Sequence, residues 1–305
     1  MQDHGRRVAI TGFGVVAPCG LGKDAFWRGL LGPGLQGVGR LTEISDWDPS
    51  PYYDSPKVAR RADLVEQFAV AAATEALDQA GELTVDPTRI ATIIGTGVGG
   101  IQTLEDQIQT RLEKGERRVS PFLVPMMMAN APGAAISMRW GLQGPCETIV
   151  TACAAGTHAL TYAARHIAWG LADAVVTGGT EHAGTATSLA GFGNMTALSS
   201  TGTSRPFDAG RDGFLMGEGA AAFVLEAWDI AEARGATILG EVLGGASTAD
   251  AHHITAPSPG GVGAIRCMRL ALDAAGLSPA DIGQVNAHGT STPLNDRSET
   301  DALKL

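Results

Sequence analysis

The run Ala76-Leu-Asp-Gln-Ala-Gly81 returns later in the chain as Ala271-Leu-Asp-Ala-Ala-Gly276, and the stretches after the two copies correspond as well. After Gly81 come Asp86-Pro-Thr-Arg-Ile90, the apolar run Ile90–Ile94 and a glycine loop, Gly95-Thr-Gly97. After Gly276 come Pro279-Ala-Asp-Ile282, a run to Ala287, and His288-Gly289. A helix, turn, strand and loop that recur together imply two related halves, each an alternating α/β unit. The division falls near residue 235, giving halves of 1–235 and 236–305. The strand and helix that come after the first loop at Thr148–Trp169 have no counterpart before Leu305, so the second half is expected to be cut short.

Periodicity fills in the first half. Arg7–Thr11 reads as a strand leading into a glycine turn at Gly12-Phe-Gly14. Asp24–Leu31 reads as a short helix, and residues 32–60 as loop. Leu64–Ala80 carries apolar residues at a helical period and stops at Gly81. Ile90–Ile94 and Asp173–Thr177 read as strands, with a polar helix reaching about Lys114 between them. Further strands are expected at Ala220–Leu225, Ile238–Leu243 and Ile282–Ala287.

The central stretch is Glu147-Thr-Ile-Val-Thr-Ala-Cys153-Ala-Ala-Gly156. Its β-branched residues read as a buried strand, and Ala154–Trp169 reads as an Ala-rich helix of the kind that is buried. Cys153 stands at the joint, where unpaired helical N–H groups and the positive end of the helix dipole favour a thiolate. A small core thiol would suit the same place. His288 sits in a hydroxyl-rich loop after an expected strand, at the position that corresponds to Gly95–Gly97. Both loops can therefore open on one face, and a Cys at a helix start with a His beside it forms a nucleophile and acid/base set.

Other chemistries are poorly supported. The 305 residues carry a formal charge of −10, which argues against general nucleic-acid binding. Gly95-x-Gly97-x-x-Gly100 and Gly12-x-Gly14 lack the acidic residue that a dinucleotide site needs on the next strand. There is no Gly-x-Ser-x-Gly elbow. His158, His166, His252 and His253 have no second ligand at metal spacing. Cys19, Cys146, Cys153 and Cys267 form no Cys-x-x-Cys pair and read as reduced thiols of a cytoplasmic protein. No apolar run is long enough to span a membrane.

Three motifs together carry a resemblance: Thr151-Ala-Cys153-Ala-Ala-Gly156; Ser204-Arg-Pro-Phe-Asp208 with Arg211-Asp-Gly-Phe-Leu-Met-Gly-Glu-Gly219; and Val285-Asn-Ala-His288-Gly-Thr-Ser-Thr-Pro293. From Val8 onward the chain resembles the elongating β-ketoacyl-[acyl-carrier-protein] synthases of the condensing-enzyme family, with polyketide ketosynthases close behind. The resemblance implies a thiolase-like αβαβα layered fold, here with an incomplete second half. It implies that Cys153 takes an acyl chain as a thioester and that His288 hydrogen-bonds the malonyl thioester carbonyl. Thr290, Thr292 and Thr255 match positions near the pantetheine arm, and Val98 and Phe192 match residues lining the acyl pocket. Glu299 matches a buried acid that supports an active-site lysine.

The resemblance also implies acyl- and malonyl-loaded carrier protein as partners, with docking at Arg60, Arg61, Arg117 and Arg118. It implies a homodimer, with Met126–Met128 near its interface. No metal or resident cofactor is implied, since phosphopantetheine arrives on the carrier protein. The family's second catalytic His, its Lys and its late glycine-rich loop have no counterpart up to Leu305. The chain is therefore expected to be a fragment, weakly active or weakly folded by itself. Two alternatives share the fold: a type II polyketide ketosynthase, and a non-catalytic chain-length partner. The partner reading is opposed by the presence of Cys153 and favoured by the missing His.

Overall fold

The computed structural model describes residues 5–32, 34–35 and 41–305. Residues 33 and 36–40 of the expected 32–60 loop lie outside the described residues. In chain order the elements are β1 (Val8–Ala17), β2 (Gly20–Leu21), α1 (Lys23–Leu30), α2 (Pro56–Ala59), α3 (Leu64–Ala80), β3 (Ile90–Gly95), α4 (Ile101–Lys114), α5 (Leu123–Met127), α6 (Ala131–Trp140), β4 (Cys146–Ile149), α7 (Ala155–Ala168), β5 (Ala174–His182), α8 (Ala186–Asn194), β6 (Glu218–Ala227), α9 (Trp228–Ala233), β7 (Gly240–Glu241), α10 (Val262–Ala275) and α11 (Pro293–Leu303).

The strands form one mixed sheet in the order β2-β1-β6-β5-β3-β4. β3 runs parallel to β4 and β5, while β6 is antiparallel to both β5 and β1. Helix α3 covers one face and α7 the other, giving an α/β/α sandwich with a core on each side. Phe68, Ala72 and Ala76 of α3 are buried on the first face, and Ala159, Ala163 and Ile167 of α7 on the second. Small side chains on both helices let them lie close to the sheet.

Helix α3 has the bounds that its sequence predicts. Asp63 caps it, its carboxylate accepting from the Val65 N–H at 3.1 Å, and Gly81 ends it at a positive φ of 73°. The buried Glu226 at the end of β6 accepts from the Arg234 guanidinium at 2.6 and 2.8 Å and from the Thr11 hydroxyl at 2.6 Å. Arg234 also donates to the Ala80 carbonyl. A buried charge is tolerated only when it is paired and hydrogen-bonded in this way.

Two strands run further than the sequence predicts. β1 runs on to Ala17, so Gly12 and Gly14 lie inside it. A Cβ at either would strike a backbone carbonyl of α3, Ala76 for Gly12 and Ala72 for Gly14. These glycines serve helix–sheet packing. β5 likewise continues through Gly178-Gly-Thr-Glu-His182.

The repeat is visible in the structure. Helix α3, the 3₁₀ turn Pro87–Arg89, β3, a glycine loop and α4 are matched by α10, the 3₁₀ turn Pro279–Asp281, an extended run, the His288 turn and α11. The expected strand Ile282–Ala287 is not realised. Among the described residues no strand pairs with it, and Ile282 and Val285 are exposed. A strand exists only through a neighbour's hydrogen bonds. The expected strand Ile238–Leu243 shrinks to the two residues of β7, which pair with β1 of the first half.

Candidate functional site

Thr151, Ala152 and Cys153 make the bend between β4 and α7. Ala152 has a positive φ of 51°, a left-handed conformation that costs a non-glycine residue on the order of 1 kcal/mol. A 3₁₀ turn over Ala152–Ala154 then feeds into α7. Cys153 is thereby lifted onto the first turn of the helix, exposed, beside the carboxyl ends of the parallel strands β3 and β4. Glycines make this approach possible. A Cβ at Gly95 would meet the Ala155 carbonyl, and one at Gly179 would lie 2.9 Å from the Gly156 Cα.

His288 comes from the second half and faces the Cys153 thiol. Its interaction with the thiol is the largest influence there and lowers the thiol pKa. Burial opposes it, and the imidazole charge and the Cys153 N–H add to the lowering. The His288 pKa moves up for the matching reason: the interaction with Cys153 comes first, burial opposes it, and the charges of Cys153, Glu299 and Asp296 support it. The pair is thus biased toward thiolate and imidazolium, the state in which a cysteine attacks a carbonyl.

The turn that presents His288 is held from both sides. Glu299 of α11 accepts from the backbone N–H groups of His288 at 2.6 Å and Gly289 at 2.9 Å. Asp296, 1% exposed, accepts from the Phe207 N–H at 2.7 Å and the Ser291 N–H at 3.1 Å, and pairs with Arg211 at 3.4 Å. The Gly213 N–H donates to the Ser291 carbonyl at 3.0 Å, and the Arg205 N–H to the Ser291 hydroxyl at 2.9 Å. The Ser204–Asp208 and Arg211–Gly219 motif is therefore a clamp that fixes the histidine of one half against the cysteine of the other.

Glu299 departs from the sequence expectation. It is half-buried, and its contacts are the His288 turn and the Asn295 amide. The fully buried acid of this region is Asp296, which sequence reasoning did not single out. Its position four residues before Thr300 and five after Ser291 resembles any helix-start acid, so only the tertiary fold reveals it.

The hydroxyls of Thr290 and Thr292 lie 2.8 Å apart, facing each other across the turn. Thr255 is exposed in a separate turn, where its N–H donates to His253 Nδ1 at 3.1 Å. Val98 is exposed in the loop after β3, which packs against Met126–Ala129. Phe192 of α8 is partly exposed and meets Phe214 edge-on at 5.6 Å. Arg60, Arg61, Arg117 and Arg118 are all exposed. The Arg61 guanidinium lies 4.2 Å over the Phe122 ring, which brings the end of α2 beside the segment after Arg118. His166 is a core residue with Nδ1 at 3.1 Å from the Tyr162 carbonyl. Among the described residues no group of three His, Cys, Asp or Glu side chains could hold a metal ion.

Comparison with known proteins decides the family. The β-ketoacyl synthase N-terminal domain matches residues 36–229, and the β-ketoacyl synthase C-terminal domain matches residues 239–305. The chain belongs to the β-ketoacyl synthase family. Among relatives of this synthase, the 3-oxoacyl-[acyl-carrier-protein] synthase 2 of Synechocystis sp. is 44% identical over 98% of the chain, which spans 76% of that protein. The ishigamide ketosynthase/chain length factor is similar in structure, with a TM-score of 0.89 and 32% identity over 98% of the chain and 77% of its own. A type II polyketide ketosynthase, solved with its acyl-carrier protein and bound to the hexaketide, has a TM-score of 0.87 at 29% identity, over 98% of the chain and 77% of its own. The synthase therefore has the thiolase-like ketosynthase fold, and its family is one of acyltransferases.

Proposed function

We propose that this protein is a 3-oxoacyl-[acyl-carrier-protein] synthase that lengthens fatty acyl chains by two carbons. The observation that carries this reading is the Cys153–His288 pair, assembled from two repeats and polarised toward thiolate. The Cys153 sulfur attacks an acyl-carrier thioester. The C–S bond to the carrier breaks, and the carrier leaves as a thiol. The Cys153 N–H at the helix start would donate to the developing oxyanion. In the second step His288 donates to the thioester carbonyl of malonyl-carrier. Decarboxylation releases CO2, and the resulting enolate carbon attacks the acyl carbon on Cys153. A new C–C bond forms and the cysteine sulfur is released.

Thr290 and Thr292, one turn from His288, would take the polar part of the pantetheine arm, with Thr255 beyond them. Val98 and Phe192, apolar and partly exposed, would line the acyl path. No resident cofactor enters this scheme. The acidic carrier would dock on Arg60, Arg61, Arg117 and Arg118. Loss of all four charges, by replacement with alanine, should raise the KM for carrier-bound substrate and flatten its salt dependence. An unchanged KM would refute the docking assignment. A homodimer suits strand β4, which among the described residues pairs with β3 alone and ends beside the exposed Val150, with Met138 of α6 also exposed. Such an edge calls for a cover, and a second copy supplies one. The reading places the synthase in the cytoplasm, with its carrier-bound substrates. No helix of the described residues is long and apolar enough to cross a membrane.

The polyketide reading differs in substrate only, and its structural neighbours share the fold at lower identity, 32% and 29% against 44%. The test is the intact mass after incubation with an acyl-carrier thioester. An acyl adduct that is absent from Cys153→Ala supports the transferase. No adduct on a folded chain refutes it and favours the non-catalytic partner.

A further inference from the structure

One acid at this site plays no part in the proposed chemistry. Glu181 lies near the end of β5, on the face opposite its neighbour His182. Its Oε2 accepts from the Gly97 N–H at 2.7 Å, and its Oε1 accepts from the Thr96 hydroxyl at 3.3 Å. The Thr96 hydroxyl in turn accepts from the Gly99 N–H at 3.2 Å. Gly97 also faces the bend before the nucleophile, since a Cβ there would lie 3.8 Å from the Ala152 Cα and against Glu181 Oε2. One carboxylate thus joins the end of β5 to the loop after β3, and Gly97 of that loop lies against the bend that carries Cys153.

We infer that Glu181 is a positioning residue: it fixes the Thr96–Gly99 loop where that loop meets the Cys153 bend, and it sets a like charge near the nucleophile. The inference rests on the reading of Cys153 as the nucleophile. Two charged groups face Cys153 and act in opposite directions. His288, from the turn before α11, lowers the thiol pKa, and Glu181, from β5, raises it. Glu299 and Asp296 act on His288. The Glu181 pKa is itself raised, first by burial, with the Gly97 and Thr96 hydrogen bonds and the His182 charge opposing. His182 is held by Glu218 at 2.6 Å on the other face of the strand. The nucleophile is therefore set by a balance: His288 favours the reactive thiolate, and burial opposes it, with the Glu181 charge adding to that opposition.

Glutamine is the informative replacement. Its carbonyl can accept from the Gly97 N–H, and its amide can donate to the Thr96 hydroxyl, so the loop keeps its tie while the charge is lost. The experiment is the pH profile of iodoacetamide alkylation at Cys153, tracked by peptide mass so that Cys19, Cys146 and Cys267 are scored separately. Loss of a like charge should move the Cys153 midpoint down by about 0.5–1 pH unit in Glu181→Gln. Below the midpoint, alkylation should then run about three to ten times faster. A midpoint unchanged in a folded variant overturns the inference, because a purely structural acid would alter rate or melting and leave the midpoint in place.

Should Glu181→Gln not fold, Glu181→Ala gives the same test, because it too removes the charge. The midpoint should again move down, and an unmoved midpoint again refutes the charge role. Alkylation requires no carrier protein. Failure of acyl transfer with a shifted alkylation profile would therefore fault the synthase reading alone, and the converse would fault the role of Glu181 alone.

Discussion

Asp296→Ala should uncouple the two halves at the site while leaving the rest folded. The Asp296 carboxylate is 1% exposed, and it satisfies the N–H groups of Phe207 and Ser291 and pairs with Arg211. Each buried N–H left without an acceptor costs about 1–3 kcal/mol. Stranding one member of a buried ion pair costs about 3–5 kcal/mol. These costs overlap, because all three donors share one carboxylate and can relax together. We therefore take about 3–4 kcal/mol as the loss. At about 1.4 kcal/mol per factor of ten, the His288 turn should open on the order of a hundredfold more often. The assay is amide hydrogen exchange by peptide mass. Peptides over 203–213 and 288–303 should exchange about a hundredfold faster, while those over α3 and β5 stay as in the parent. The Gly213 N–H is the most direct reporter, since its acceptor is the Ser291 carbonyl. Cys153 should lose His288 in the same variant, and its alkylation midpoint should rise. Unchanged exchange in both segments would refute the clamp.

His288→Ala removes the group that most lowers the Cys153 thiol. Its alkylation midpoint should move up, opposite to Glu181→Gln, and alkylation at pH 7 should slow about tenfold; an equal or lower midpoint would contradict the geometry. Asp173 ties β5 to both Arg89 and Arg6, at 2.9 and 2.6 Å. The Arg89 hydrogen bonds, against burial and with help from Arg6, hold its carboxyl at about 2, down from the ordinary 3.8. A depressed acid contributes stability above its unfolded value and loses it as pH falls through its folded value. The chain should therefore weaken between about pH 4 and pH 2, and Asp173→Asn should lose part of that dependence, with a screened cost of about 1 kcal/mol at pH 7. Denaturant midpoints across pH measure both. Gly179→Val would place a side chain between β5 and α7, where even a Cβ comes within 2.9 Å of the Gly156 Cα. A cost of about 1–3 kcal/mol should appear as a lower Tm, and an unchanged Tm would show that α7 can move away.

The local signals in this sequence are the ones that local chemistry controls. Helix α3 begins at its Asp63 cap and ends at Gly81, both visible as residue types. The cysteine at a strand-to-helix joint and the repeated loop at His288 were legible, because the joint and the repeat are chain-local patterns. Glycine was the ambiguous letter. Gly12 and Gly14 read as a turn, yet they sit mid-strand because α3 needs backbone contact there. The same residue serves a positive φ and a close approach, and nothing beside it in the sequence tells the two apart. The Gly178–Gly179 pair hid the continuation of β5 past Thr177 in the same way, and with it Glu181. Once the strand is extended, alternation sends Glu181 to the Cys153 face and His182 to the Phe68 face.

The expected strand Ile282–Ala287 fails for the opposite reason. Its residues have strand propensity, but a ladder is a property of two segments, and no described segment pairs with it. The clamp at Asp296 is likewise nonlocal, since its donors come from Phe207 and Ser291 and its ion pair from Arg211. Its function nevertheless explains why the Arg-Pro-Phe-Asp motif accompanies the histidine motif in one chain. The first half carries the thiol, the second half carries the base, and a nucleophile pair split between halves is only as well aligned as the contact that joins them. Here that contact is polar, centred on one buried carboxylate with the Gly213 and Arg205 N–H bonds to Ser291 beside it. A carboxylate fixes direction as well as distance, and a sulfur-to-imidazole hydrogen bond depends on both.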